Sequence, residues 1–186
     1  MPRPNHKDTI VRSALEVFHE FGYHASGVQV IVDHAGVPKG SFYNHFQSKD
    51  DLGLEVLEAY WSQHEPVREA LRDSDKCPLD RIDAHLAAFD VTQNGCLVGN
   101  FTGELANIPK FREALQDLFA TWIGDLEFCI GQGQGDGTIR SDETAIALAE
   151  FVVTSLEGSV LKRKISMDER NFINFRKTMM LFLRPT

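Results

Sequence analysis

The 186 residues suffice for one large domain or for a small one joined to a medium one, and the net charge of -8, with 42% hydrophobic and 25% charged residues, is ordinary for a soluble globular protein. No apolar run reaches the roughly 18–20 residues of a membrane span. The start, Met1-Pro2-Arg3-Pro4, lacks the apolar stretch of a secretory signal, so a cytoplasmic protein with no membrane partner is expected. Cys77, Cys96 and Cys129 are far apart with no Cys-x-x-Cys pair, which argues against a disulfide scaffold and a structural zinc site.

The charge is unevenly placed. Residues 1–50 hold five Lys or Arg (Arg3, Lys7, Arg12, Lys39, Lys49) and five Asp or Glu, a net of zero, so the whole -8 lies in residues 51–186. The same third carries five of the seven histidines, and it is where a phosphate backbone is least repelled. Within it, Ile10, Val11, Ala14, Leu15, Val17, Phe18 and Phe21 recur at helical spacing and predict a helix over about 5–22, stopped by Gly22. Ser26 is placed to cap a short second helix over 27–34, with Val28, Ile31 and Val32 inward. Ala35-Gly36-Val37-Pro38 then turns the chain, and Pro38 suits the first position of a third helix over about 39–46. Ser48-Lys49-Asp50-Asp51 is a capping box that opens a helix predicted over 49–74, bent at Pro66.

Two short helices joined by a Gly-containing turn, behind a longer support helix, predict a helix-turn-helix whose second helix enters the major groove of double-stranded DNA. Gly40 gives that helix a bare surface for close approach, and Lys39, Tyr43, His45 and Lys49 offer donors or charge to phosphates. The run Ala35-Gly36-Val37-Pro38-Lys39-Gly40-Ser41-Phe42-Tyr43-Asn44-His45-Phe46-Gln47-Ser48-Lys49-Asp50-Asp51-Leu52 resembles the signature of the TetR family (AGV-x-KG-x-x-Y-x-HF-x-SK-x-x-L) at nearly every fixed position. The resemblance implies an all-α protein of about nine helices, with a DNA-binding head over 1–50 and a ligand-binding and dimerisation body over 51–186. It also implies a homodimeric regulator, a repressor released from operator DNA by a small-molecule effector. Tyr43, His45 and Lys49 become its phosphate clamps, while Ser41, Asn44 and Gln29 are candidates for base edges, Asn matching adenine. The other reading, in which Tyr43 and His45 are surface residues at a helix end, stays open. The chain departs from the family at Gly27, often Thr, and at Val32, often Ala.

Beyond residue 74 only helices are predicted, over about 78–91, 97–107, 109–132, 142–164 and 168–183, with Gly131-Gln132-Gly133-Gln134-Gly135-Asp136-Gly137 as a flexible loop. Ala145, Leu148, Ala149, Val152, Leu156 and Val160 form an apolar stripe in which Gly158 permits close approach, and Phe172, Phe175, Met179, Met180 and Phe182 mark the last helix. The resemblance implies that this pair meets its twin in a four-helix bundle through Leu148, Val152, Leu156, Gly158, Phe172, Phe175 and Met179. A two-fold protein suits half-sites one helical turn apart, about 34–36 Å; completion of a monomer core is the alternative. Trp61, Phe89, Phe101, Phe119, Trp122 and Phe128 supply the aromatic lining of an effector pocket, or else plain core.

Asn94-Gly95-Cys96-Leu97 resembles a Gly-Cys-Leu motif of a TetR subgroup that includes electrophile-responsive and acrylate-responsive regulators. A cysteine after a glycine break, where a helix starts, has backbone N–H groups to stabilise a thiolate, which adds to electrophiles or is oxidised. Glu157 and the run Lys162-Arg163-Lys164 are candidates to face it, and Glu104 completes the expected sensing set. The alternative is a small buried hydrophobe. Cys96 with His85 and Glu104 or Asp90 matches no active-site spacing, and residues 131–137 lack the Lys-Ser/Thr end of a phosphate loop. Neither catalysis, a cofactor nor a metal is expected. A helical interaction module that does not bind DNA leaves the wording from Lys39 to Leu52 unexplained.

Overall fold

In chain order the helices are α1 (His6–Phe21), α2 (Val28–Ala35), α3 (Lys39–Tyr43), α4 (Lys49–Gln63), α5 (Glu65–Glu69), α6 (Pro78–Ala87), α7 (Leu97–Leu105), α8 (Pro109–Gly135), α9 (Ala145–Ser166) and α10 (Glu169–Phe182). Short 3₁₀ turns lie at Ala70–Arg72 and Ala88–Val91. The computed structural model describes residues 6–91, 94–166 and 168–185. Among the described residues there is no strand, in keeping with the all-helical expectation. Contacts divide the chain into two units, Met1–Gln63 with Leu97–Leu115, and His64–Cys96 with Gln116–Thr186. That division differs from the one expected at residue 50, because α4, α7 and the start of α8 group with the N-terminal helices.

In the first unit, α1 buries Ile10, Ser13, Ala14, Val17 and Phe18, the spacing of one helical face, and Gly22 ends it in the left-handed conformation (φ +83°). Ser26 does not cap α2 as expected. Its hydroxyl donates to the Gly22 carbonyl at 2.6 Å, tying the turn back to α1, and Gly27 takes the cap position. Gly36 (φ +64°) closes α2 as the turn requires. Helix α3 is shorter than expected and starts after Pro38, yet Phe42 and Phe46 still meet, ring centroids 5.5 Å apart, both buried. The capping serine of α4 is in place, with Asp51 N–H donating to Ser48 Oγ at 3.1 Å. The single helix expected over 49–74 is instead broken at His64, because Pro66, in the first turn of α5, has no N–H with which to continue the ladder of α4. From α7, Phe101 packs on Phe18, Tyr23 and Phe111 at 5.8, 5.6 and 6.1 Å. Gly53 of α4 lets these rings close in, since a Cβ there would lie 2.9 Å from both the Phe111 and Tyr23 rings.

In the second unit the core comes from Ile82 and Leu86 of α6, Trp122, Leu126 and Ile130 of α8, Leu148, Val152 and Leu156 of α9, and Phe172 and Met179 of α10, all buried. Its buried charges have partners: Asp125 takes Arg68 at 3.1 Å and Arg72 at 2.8 Å, and the Arg81 guanidinium donates to the Leu71 carbonyl at 2.8 Å and to Gln132 Oε1 at 2.7 Å. The glycine-rich stretch expected as a loop is helical as far as Gly135. Each glycine costs a helix about 1 kcal/mol against Ala, but tertiary contacts hold this end. Gln132 takes Arg81, Gln134 donates to the carbonyls of Arg140 and Glu143 at 2.9 Å each, and Gly133 sits where a Cβ would lie 2.6 Å from Ile139.

Candidate DNA-binding face and effector core

Gln29, Pro38, Lys39, Gly40, Tyr43, Asn44 and His45 are exposed together across α2, the turn and α3, with Ser41 half-buried beside them. Tyr43 is 58% exposed although it is a large aromatic, its ring held edge-on by Phe42 at 5.1 Å. A Cβ on Gly40 would meet nothing within 4 Å, so the backbone of α3 is bare toward solvent. Two of the expected base-reading groups already have neighbours: Gln29 donates to Asp33 at 2.8 Å, and Ser41 Oγ lies 3.2 Å from His6 Nδ1.

Lys49 is placed differently from its expected role as a phosphate clamp. Its ammonium donates to the carbonyls of Tyr23 at 3.1 Å and Ser26 at 3.2 Å and lies 4.2 Å from the Tyr23 ring centroid. Burial lowers its pKa, opposed by the charges of Asp50 and Glu104. The Tyr23 phenol donates to Asp50, and burial followed by that bond pushes the phenol well up. The same bond is the main cause holding the Asp50 carboxyl below the usual range, with Lys110, 3.3 Å away, adding to it. The turn between α1 and α2 is thus tied to the start of α4 by side chains that sequence reasoning gave other tasks or none.

The expected sensing residues separate. Phe101 and Glu104, with the half-buried Trp61, belong to the first unit. Phe101 fills the head core described above, and the Glu104 carboxylate accepts from Tyr23 N–H at 3.1 Å and His24 N–H at 2.9 Å. These two are corrected from effector contacts to head contacts, because α7 packs with α1 and α4. Phe89, Cys96, Trp122 and Glu157 belong to the second unit. There the rings of His64, Phe89, Trp122 and Phe119 form a stack with successive centroids 5.9, 5.1 and 6.3 Å apart.

Trp122 donates its indole N–H to His85 Nε2 at 2.8 Å. That fixes the proton on Nδ1, which faces the Val67 carbonyl at 3.4 Å. Burial pulls the His85 pKa down to about 4. Sequence reasoning missed His85 as a member of this core. Its spacing of three from Ile82 and four from Phe89, on the apolar face of α6, was the available signal. The Cys96 side chain hydrogen-bonds the Glu157 carboxyl, whose pKa is raised by burial, and Glu157 Oε1 is buried with no hydrogen-bond partner among the described residues. The nucleophile–base grouping weighed from sequence is not assembled, since His85 faces Trp122 and Val67 while Glu104 serves Tyr23 and His24. The Asp90 side chain lies outside the described residues.

The family model of the tetR family of bacterial regulatory proteins matches residues 10–56, and that of the tetracyclin repressor-like C-terminal domain matches residues 78–179. The chain is 35% identical to the HTH-type transcriptional repressor DhaR of Mycobacterium sp. (strain GP1), over 100% of its own length and 96% of that relative. It is 33% identical to the transcriptional regulator AcuR of Cereibacter sphaeroides, over 91% of this chain and 81% of the other. The solved structure of a regulatory protein TetR from Rhodobacter sphaeroides superposes with a TM-score of 0.86 at 31% identity, covering 95% of this chain and 97% of that one. This chain belongs to the TetR family of bacterial regulators.

TetR-family regulators act as dimers, and α9 and α10, where the interface is expected, bury part of their apolar residues within this chain. Leu148, Val152, Leu156, Phe172 and Met179, expected at the interface, are at most 4% exposed in the single chain and form its own core. Helix α9 is apolar on two sides, so periodicity alone could not separate inward from outward residues. Facing out are Phe151, Gly158, Phe175 and Phe182, around a groove of about 550 Å³, with the exposed Leu161 and Ile165 along α9.

Proposed function

We propose that the protein is a TetR-type transcriptional repressor that binds a two-fold operator as a homodimer and is released by a small effector held in the second unit. Phosphates are met by Lys39, Tyr43 and His45, and base edges by Asn44, Ser41 and Gln29, with Gly40 allowing close approach. The observation that carries this reading is the exposed Tyr43 beside a glycine whose surface is open. Lys49 supports the face from behind. The second copy docks on the outward groove of α9 and α10 through Phe151, Gly158, Phe175 and Phe182. No helix among the described residues is long and apolar enough to cross a membrane, and a cytoplasmic place follows from the DNA-binding role.

The effector meets the ring stack around Trp122 and Phe89 and the Cys96–Glu157 pair. A small Michael acceptor such as acrylate or a quinone suits that pair. The sulfur–carbon bond forms at the β carbon as the π bond opens, and the thiol proton passes to Glu157 and then to the α carbon. Release requires the effector to favour the DNA-free state, and a 100-fold loss of operator affinity corresponds to about 2.7 kcal/mol of coupling.

Fluorescence anisotropy on the DNA upstream of its own gene, beside a scrambled duplex and across salt, tests the first part. Preference for the upstream duplex with a steep negative salt slope is expected, together with a loss of roughly tenfold or more in Tyr43→Ala. A flat slope with no preference sinks it. For the second part, Cys96→Ser keeps DNA binding and loses the response to acrylate or quinone; an unchanged response removes Cys96 from the mechanism.

A further inference from the structure

We propose that Glu104 is a positioning residue for operator recognition, which fixes the turn between α1 and α2 from α7 so that the reading helices and α7 are held as one piece. Its carboxylate receives two successive backbone N–H groups, Tyr23 at 3.1 Å through Oε1 and His24 at 2.9 Å through Oε2. The Glu104 carbonyl lies 3.2 Å from His24 Nε2 as a third contact to the same turn. Hydrogen bonds from backbone N–H to an ionised carboxylate are shorter and stronger than neutral ones. The turn is shaped around this acid. Gly22 is left-handed at φ +83°, and a Cβ there would lie 2.9 Å from Glu104 Oε1, so glycine provides both the conformation and the space.

The opposite polarity of the turn is held from α4, where the Lys49 ammonium donates to the carbonyls of Tyr23 and Ser26. The N–H groups of Tyr23 and His24 therefore go to α7, and the carbonyls of Tyr23 and Ser26 to α4. Residues 22–27 lead directly into α2, which carries Gln29, and through the Gly36 turn into α3 with Tyr43 and Asn44. Helix α7 opens one residue after Cys96. Near its C-terminal end α7 thus holds the segment that leads into the reading helices. None of the side chains in this clamp needs to touch DNA.

The inference rests on the operator-binding reading, and its test separates the two. Backbone amide exchange is followed in the full-length protein for wild type, Glu104→Gln and Glu104→Ala, beside anisotropy titrations with the upstream and scrambled duplexes. In Glu104→Ala, exchange at Tyr23 and His24 rises at least tenfold while Ile31 and Val32 keep their protection. Affinity for the upstream duplex falls about tenfold with little change on the scrambled one, because lost aim costs base reading and leaves phosphate attraction intact. Glu104→Gln, which keeps one carbonyl acceptor, lies between. Unchanged exchange at Tyr23 and His24 overturns the proposal, as does faster exchange with the duplex preference intact. Acceleration throughout the head with a matching fall in Tm overturns it too, because Glu104 is then only a stabilising residue. If wild type itself shows no duplex preference, the operator reading fails, and the exchange arm alone decides whether Glu104 holds the turn.

Discussion

Each unit gathers its aromatic side chains, and the two clusters are built on different principles. In the first, Tyr23, Phe101 and Phe111 meet edge to face at interplanar angles of 71° to 84°. Rings set at right angles lock the elements that carry them, and the polar atoms around them, on Tyr23, Lys49 and Glu104, hold the backbone of one turn. In the second, His64, Phe89, Trp122 and Phe119 lie nearly parallel, with angles of 15° to 20°. There the polar atoms address one another, Trp122 to His85 and Cys96 to Glu157. The first unit thus sets its rings edge to face around one hydrogen-bonded turn, whereas the second stacks its rings beside two side-chain pairs.

The comparison breaks most easily at Trp122. Trp122→Ala removes the middle of the stack and strips His85 of its donor, and destabilisation by about 3–5 kcal/mol is expected in urea unfolding. A loss below about 1 kcal/mol would mean that the stack is not the core of its unit. Next comes acid. His85 is held neutral with a pKa near 4, against 6.5 when unfolded. The unfolded chain therefore takes up the proton first, and stability is lost as pH falls from 6.5 toward 4, by up to about 3 kcal/mol. Unfolding midpoints at pH 7, 5.5 and 4.5 check this, and His85→Gln flattens the slope.

For the edge-to-face cluster, Gly53→Ala is the sharper probe. Alanine favours a helix by about 1 kcal/mol, but here its methyl meets two rigid rings, so a net loss of about 1–3 kcal/mol is expected in thermal unfolding. A gain in Tm would show that the rings yield. The smallest effect is expected at Glu157. Its raised pKa means that the folded state binds the proton more tightly, so its contribution to stability falls as pH rises. Glu157→Gln then stabilises the protein at pH 7 by of the order of 1 kcal/mol, and the advantage fades near pH 4.

Local signals were legible where the chemistry is local. Ser48 and Gly36 announced a helix start and a helix stop, and the exposed face from Lys39 to His45 followed from spacing and from the resemblance. What stayed hidden depends on partners distant in the chain. The glycines at 131, 133 and 135 read as a loop because nothing local shows Arg81 or Ile139 waiting for them. Phe101 and Glu104 read as sensor residues because they follow Cys96 in sequence, while their contacts lie with Phe18, Tyr23 and His24. The inward and outward sides of α9 could not be told apart in a helix that is apolar on both.

The three passages of the chain between the units, after residues 63, 96 and 115, bear on how such regulators are recombined. A chimera joined at residue 50 transplants α1 to α3 onto a foreign α7 and replaces the acid that grips the turn. A graft that carries α7 and its glutamate along with the helix-turn-helix keeps the two bonds to Tyr23 and His24, which the shorter one gives up, so comparing operator choice in the two chimeras checks whether that mounting matters.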